Sequence, residues 1–456
     1  MAVRRKKKRI HTRRVAAAVL CCALLLTAIG FGGAALLERL FASPEVQPPS
    51  SSVPIIPPLS STPVDPTVRP VSSVTISNTG DILFHGKVIK DGLLSDGSYN
   101  YDHMFTYLKP YVEEATFATA NLEGTLPGKD YSGYPKFGAP DAVAEALLRG
   151  GFDMLTTANN HTNDRGEAGL LRTAEVLTQN GLEFIGTRAN VEDKNYLVKQ
   201  MNDISVGMIN YTYGSYLSDG RKSLNGLPCT SLASQLVNMF DYNKLDRFYT
   251  EMETAIANMK QDGAEVIVVY IHWGNEYRLT TNQYQRTIAQ KLCDLGVDVI
   301  VGAHPHVVEP VQLLTSEISG KSTLCVYSMG NAISNQRVEE PSITMKSGHT
   351  EDGMLFSFTI TKYSDGSVRI TNADVLPTWV HLYNKTYQII PLDKTVSDWS
   401  VFGLNQSRDG LERAQKSYDR TMAIVGDGLE QFEAFFAEQQ QQLDEYNATL
   451  LANAAA

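Results

Sequence analysis

Two segments of this chain follow one pattern, Gly151-Phe152-Asp153-Met154-Leu155-Thr156-Thr157-Ala158 and Gly296-Val297-Asp298-Val299-Ile300-Val301-Gly302-Ala303. Each follows a helix-like stretch, opens on glycine and runs as an apolar strand. Each then ends in side chains that bind metals or move protons: Asn159-Asn160-His161-Thr162-Asn163-Asp164 after the first, His304-Pro305-His306 after the second. That placement constrains the fold, because ligands gather at the carboxyl ends of strands in open α/β sheets. Two segments do not make a repeat, but they set the class to look for. A packed core has no use for clustered imidazoles, carboxylates and amides, whereas a metal-assisted hydrolytic site does.

The body of the chain alternates accordingly. Strands are expected at Val74–Ser77 (ending in Gly80-Asp81), Asp153–Thr157, Leu182–Ile185, Asp203–Tyr211, Glu265–Ile271, Val297–Val301 and Leu324–Tyr327. The β-branched run Glu265–Ile271 reads as a strand buried on both faces. Helices are expected at Glu145–Arg149 with Gly150-Gly151 as its cap, Ala168–Gln179 with Asn180-Gly181, Leu245–Lys260 and Gln283–Leu295. Met354–Thr361 and Ser367–Ile370 flank Tyr363-Ser364-Asp365-Gly366, a hairpin signal. The sum is an α/β chain. Residues 408–450 read as a helical tail with an apolar stripe of Leu429, Phe432, Phe435, Phe436 and Leu443, suited to packing on the domain or to binding a partner.

The other end differs in chemistry. Residues 1–40 hold nine Lys/Arg and one Glu, a balance of +8 in a chain of 456 residues and net charge −10, so the remainder carries −18. A basic head on an acidic body is a membrane-topology signature, and the acidic body repels polyanions, so no nucleic-acid partner is expected. Val15–Leu37 is an uncharged run of 23 residues, long enough to span a bilayer. A cleaved signal peptide usually has a shorter apolar region, roughly 7–15 residues. The expected organisation is a basic cytoplasmic segment (1–14), an anchor (15–37), a Pro/Ser-rich spacer (38–73), an extracellular domain (74–395) and a helical extension (396–456). Cys229, Cys293 and Cys325 form no disulfide framework; the last two read as buried thiols.

Five strand-end clusters follow in order. They are Asp81 with His85; Asn121-Leu122-Glu123; Asn160-His161 with Asp164; His272-Trp273-Gly274-Asn275-Glu276-Tyr277; and His304-Pro305-His306. Mixed imidazole, carboxylate and amide ligands suit Mn, Fe, Zn or Mg. Asp81 and Glu123 are candidate bridges between two ions roughly 3.5–4 Å apart. Singly each cluster is weak: Asn160 suits a loop cap, Glu276 suits an ion pair with Arg278 or a nearby Lys, and His103, His349 and His381 read as structural. His304-x-His306 is stronger, since alternate residues on an extended segment face one way.

Together with Gly166, Gly302, Val307 and Tyr327-Ser328-Met329-Gly330-Asn331, these motifs resemble the CapA family, named for capsule and poly-γ-glutamate synthesis. The resemblance covers about residues 73–335. The family is in turn similar to calcineurin-like metallophosphoesterases, which implies a four-layer α-β-β-α sandwich with two divalent ions. By motif, Asp81, Glu123 and His306 would hold one ion. Glu123, Asn160, His272 and His304 would hold the other, His161 would act as general acid, and Asp164 would orient it. His85, Asn121 and Glu276 are additional candidates. The phosphoesterase pattern has Asp-x-His where this chain has His85 four residues after Asp81, a spacing that one turn of helix brings to one face. It also has Gly-Asp where this chain has Asn121-Leu122-Glu123. The implied role lies in making, assembling or exporting an anionic surface polymer beside membrane partners. Alternatives are a phosphoesterase for other envelope substrates and a non-catalytic assembly factor.

Overall fold

The structure, a computed structural model, describes residues 66–455. The basic segment, the apolar run and most of the spacer lie outside the described residues, and no described helix is long and apolar enough to cross a membrane.

The first part of the body lays down β1 (Pro70–Ile82), three short helices α1 (Gly86–Asp91), α2 (Asp102–Phe105) and α3 (Lys109–Glu113), then β2 (Phe117–Leu122), α4 (Ala142–Arg149), β3 (Met154–Thr156), α5 (Gly166–Asn180) and β4 (Glu183–Ile185). Strands β1 to β4 pair in parallel. The middle supplies β5 (Leu197–Met201), β6 (Ile204–Tyr213), a small excursion of β7 (Ser215–Tyr216), β8 (Lys222–Leu224), β9 (Leu227–Pro228) and α6 (Ser231–Leu236), then β10 (Met239–Phe240), α7 (Leu245–Gln261), β11 (Val266–His272), α8 (Gln283–Asp294), β12 (Val299–Ala303), β13 (Val311–Thr315) and β14 (Ser322–Val326). These give a second sheet in the order β10-β6-β11-β12-β14-β13, with β5 on β6. The last part returns to the first sheet. β15 (Asn331–Ile333) extends alongside β1, β16 (Asp352–Tyr363) pairs antiparallel with β1, and β17 (Val368–Tyr383) and β18 (Thr386–Pro391) follow. A long helix, α9 (Gly410–Ala455), ends the described chain.

Two mixed sheets lie face to face. Val74, Ile76, Phe117, Met154 and Phe356 of the first share one core with Val206, Met208, Val268 and Val299 of the second. The outer face of the first sheet packs Ala118, Ala120 and Leu155 on Val88, Met104, Val143 and Leu147 of the helices. That of the second packs Ile209, Ile267, Val269 and Ile300 on Phe248 and Met252 of α7 and Ile288 and Leu292 of α8. The β11 run explains itself: Val266, Val268 and Tyr270 point into the inter-sheet core, while Ile267, Val269 and Ile271 point to the helices. Each such side chain stabilises by roughly 1.5–3 kcal/mol of removed apolar surface.

The two echoing segments prove to be β3 and β12, one in each sheet. Their aspartates do the same work. Asp153 accepts from the Ala118 N–H at 2.8 Å and Asp298 from the Ile267 N–H at 2.9 Å, tying the start of each strand to its neighbour.

The expected hairpin is present but much longer, because β17 runs on to Tyr383 and turns through Asn384 and Lys385, both left-handed, into β18. The helical tail packs on the domain. Val425 and Phe432 are buried in the inter-sheet core, with Leu429 and Phe436 beside them. Phe435 lies off that stripe, its ring tilted on Phe436 at 5.5 Å. Leu443 instead packs with Val68 and Tyr363. Gly428 allows the approach, since a Cβ there would meet the Val311 carbonyl oxygen at 1.9 Å. Near its start, α9 docks Arg413 on Glu351 at 2.8 Å and Arg420 with Ser417 on Asp352 at 2.6 Å. Cys229, Cys293 and Cys325 are buried and free.

Candidate metal centre

The parallel register delivers the first sheet's polar residues to one edge. Asp81 pairs with Asn121 across β1 and β2 and with Asn331 across β1 and β15, and Asn121 pairs with Thr156 across β2 and β3. The side chains follow: Asn121 Nδ2 donates to Asp81 Oδ1 at 2.8 Å, and Thr156 Oγ1 donates to Asn121 Oδ1 at 3.0 Å. Asn121 therefore aims Asp81. Gly80 lets β15 come this close, since a Cβ there would sit 2.0 Å from the Gly330 carbonyl oxygen. From the second sheet, His272 ends β11 and His304 and His306 follow β12.

These residues meet. Asp81, Glu123 and His306 bring one ligand atom each to within 4.8 Å of one another; so do Glu123, His272 and His304, and so do Glu276, His304 and His306. Glu123 is common to the first two groups. Its Oε1 lies 3.7 Å from His272 Nε2, 3.7 Å from His306 Nε2 and 4.0 Å from His161 Nε2. Asn160 Oδ1 is 2.9 Å from His272 Nε2, so Asn160 faces the cluster as well as following the strand. His161 Nδ1 is held by Asp164 Oδ2 at 2.7 Å, which also accepts from the Phe137 N–H at 2.6 Å. Glu276 is exposed and joins His304 and His306 at the rim; among the described residues it forms no ion pair with Arg278.

The donor set fits divalent cations. Glu123 is buried, yet neither of its carboxylate oxygens has a hydrogen-bond partner, and His304 Nδ1 lacks one too. Buried groups in this condition are rare unless something else satisfies them. The electrostatics agree. Burial without donors pushes the Glu123 carboxyl well above the usual range, and the neighbouring Asp81 adds to it. Burial, and then the other imidazoles, push His272 and His304 well down. His306 differs: burial lowers it, but Glu123 and Asp81 outweigh that and hold it at about 9. A central positive charge reverses the strain on Glu123.

Two expectations fail on backbone geometry. His304 and His306 do not alternate along an extended segment; both are left-handed, at φ 104° and 57°, and converge because the chain is bent. Tyr277 beside them has φ 61°. Such non-glycine conformations cost about 1–3 kcal/mol each and cluster where function over-determines the backbone. His85 does not share a helical turn with Asp81. Asp81 belongs to β1, and His85 precedes α1, where its Nδ1 accepts from the Asn335 N–H at 3.2 Å. It stays near the centre: burial first, then the charges of His306 and His161, push it down to about 3. His103, His349 and His381 are structural, on Asp91, on Ser347 and tilted against the Trp379 ring at 4.8 Å.

Several neighbours of the centre are not evident from sequence. Asn331 Oδ1 lies 3.2 Å from His306 Nδ1, while its Nδ2 donates to Thr350 and His306 carbonyls and to Gln336. In sequence it is one member of a motif without a role; its pairing with Asp81 is the missing signal. Tyr213 at the end of β6 lays its ring against His304 at 4.8 Å, and the Phe137 ring meets His161 edge-on at 4.6 Å.

Comparison with protein families matches residues 75–336 to the family described as bacterial capsule synthesis protein PGA_cap. Among curated proteins, the capsule biosynthesis protein CapA of Bacillus anthracis is 25% identical over 279 residues, 59% of this chain and 61% of that protein, so the match spans about three fifths of the relative's length. The PGA biosynthesis protein CapA of Bacillus subtilis (strain 168) is 24% identical over 320 residues, 68% of this chain and 74% of that protein. Among solved structures, TT1561 of Thermus thermophilus aligns with 62% of this chain and 94% of its own at 7% identity and a TM-score of 0.32, too low to carry an argument.

Proposed function

The chain belongs to the bacterial capsule synthesis protein PGA_cap family, and from that premise we propose that it serves the synthesis, assembly or export of an anionic capsular polymer of the poly-γ-glutamate kind. It does so through a two-metal, hydrolase-like centre of the metallophosphoesterase type. The buried Glu123 carboxylate, unpartnered amid three imidazoles, carries this reading. Asp81, Glu123 and His306 would hold one divalent ion, and Glu123, Asn160, His272 and His304 the other, with Glu276 available at the rim. The chemistry such ions supply when bound is activation of water as a nucleophile and neutralisation of charge on a phosphoryl or acyl centre.

The remaining work falls to side chains. With Nδ1 fixed on Asp164, His161 presents Nε2 toward Glu123, the orientation a general acid needs to deliver a proton to a leaving group. Phe137 holds both partners, through its N–H on Asp164 and its ring on His161. Asn121 and Asn331 orient Asp81 and His306. The apolar run 15–37 would anchor the protein as a single span with the N-terminus in the cytoplasm, placing the centre outside the cell beside polymer-synthesis membrane proteins.

Elemental analysis of the purified protein beside His304→Ala tests the centre. Manganese, zinc or iron at stoichiometric level is expected in the wild type and depleted in the variant, with hydrolysis of a generic phosphodiester falling in parallel. A metal-free protein whose activity is unchanged by His304→Ala overturns the enzymatic reading and leaves the assembly factor.

A further inference from the structure

An acidic protein has little reason to gather cations in a cavity, yet this one does. A cavity of about 510 Å³ beside the small β7-β8-β9 sheet is lined by Arg188, Arg221, Lys222 and Arg247, with the hydroxyls of Ser231 and Ser234. Arg221 and Arg247 each have one carboxylate, Asp219 at 2.8 Å and Glu251 at 2.9 Å. Arg188 and Lys222 have none within ion-pair distance among the described residues. The Arg188 guanidinium donates only to the carbonyls of Asp193 and Gln235 among the described residues, and its Nε is buried without a partner. Lys222 Nζ donates to the Val237 carbonyl at 2.5 Å. Burial, partly offset by Glu251, pushes the Lys222 ammonium down to about 8. The Arg247 guanidinium is braced on the Tyr216 ring at 4.3 Å, with the Lys244 Nζ 5.2 Å from the same ring.

The cavity is coupled to the metal centre by a short stretch of chain. Lys222 opens β8, and the turn after that strand carries Asn225, whose Oδ1 accepts from Asn160 Nδ2 at 3.3 Å. Asn163 Nδ2 donates to the Leu227 and Pro228 carbonyls at 3.1 and 3.2 Å. Three residue steps along the strand lead from Lys222 to Asn225, a reach of about 10 Å. One small sheet therefore touches the centre with its tip and holds the cations at its base.

We propose that this cavity is an anion-binding subsite that seats a carboxylate of an acidic polymer chain while a neighbouring part of the same chain lies at the strand-end centre. The proposal rests on the polymer reading above and adds the surface that grips the chain. Cations left without counter-ions repel one another in the partly desolvated cavity, and a ligand carboxylate relieves that while gaining charge-assisted hydrogen bonds. Two well-separated grips, one cationic and one at the metal centre, would favour a chain over a monomer.

Calorimetric titration of the full chain with a short oligoglutamate tests this. The wild type is expected to bind, more weakly as salt is raised. Arg188→Gln, which removes a cation without a carboxylate partner, is expected to lose about tenfold or more, the worth of a charge-assisted hydrogen bond. Ser231→Glu places a competing carboxylate on an exposed first helical position, where an acidic residue does not destabilise, so it is expected to weaken binding with an unchanged melting temperature. Binding that both variants retain at wild-type strength overturns the subsite, as does displacement by inorganic phosphate with no binding of oligoglutamate. Metal content, measured on the same samples, stays at the wild-type level in these variants if the subsite is separate from the centre. A failed subsite with intact metal uptake therefore leaves the strand-end reading standing.

Discussion

Two places in this molecule bury acidic side chains, and they treat them in opposite ways. At the foot of α9, Glu351 accepts from the Val338 N–H, the Trp379 indole, Arg337 and Arg413, and Asp352 accepts from Ser417 and Arg420. At the strand ends, Glu123 is as deeply buried as Glu351, each 2% exposed, and accepts nothing. Burial of a carboxylate is thus no signature of function here. What separates the two is whether the protein itself completes the coordination. The first cluster closes on itself and locks a helix; the second leaves its valences pointing at one another.

Breaking the closed cluster should have the larger effect. Arg420→Ala strips Asp352 of its charged partner and is expected to destabilise by about 3–5 kcal/mol in chemical denaturation; a loss below about 1 kcal/mol would mean the cluster is solvated and the comparison fails. At the open cluster the sign should depend on conditions. Glu123→Gln removes a carboxyl whose ionised form burial disfavours, so with chelator present it is expected to raise stability by about 1–3 kcal/mol. With excess manganese or zinc the wild type should gain and the variant should not, reversing the order of melting temperatures. If manganese and zinc leave both melting curves in place, Glu123 is no ligand.

A third buried acid sharpens the contrast. Glu309 accepts from Gln285 at 2.6 Å through one oxygen, and the other has no partner. Burial raises its carboxyl from 4.5 to about 8, the Gln285 bond opposing. A folded-state value above the unfolded one means the folded protein holds the proton more tightly, so this contribution is fully present below pH 4.5 and is lost as pH rises through about 8. Glu309→Gln should flatten the fall of melting temperature over that window; an unchanged slope would show that Glu309 titrates normally.

Much of this was legible in the residues. The run Glu265–Ile271 declared a strand buried on both faces, and the polar ends of β3 and β12 declared where the chemistry gathers. What hid was set by geometry that no local pattern encodes. His304 and His306 take left-handed backbones imposed by the chain around them, so alternation pointed to the right pair through the wrong conformation. β17 carries Asn372 and Asp374 in its length, and strand propensity stops where such residues begin; pairing with β16 carries it through. Asn331 reads as an ordinary loop amide until the register sets it against Asp81. The cations of the β7-β9 sheet are likewise scattered in sequence, from Arg188 to Arg247, and become a cluster only in three dimensions.

The first sheet has a further consequence, for timing. Its central strand β1 is the earliest element described, and the strand that seals it, β16, lies hundreds of positions later: the Asn78 amide reaches the Phe356 carbonyl across a separation of 278 residues. Asp81 waits for Asn331 in the same way. Contacts of such long range close slowly, after local structure has formed. A chain emerging N-terminus first therefore exposes Asp81 and Glu123 long before His304 and His306 exist beside them. The donor set is assembled only once the chain beyond His306 has arrived, so a truncated or half-emerged copy presents scattered single donors and no chelate.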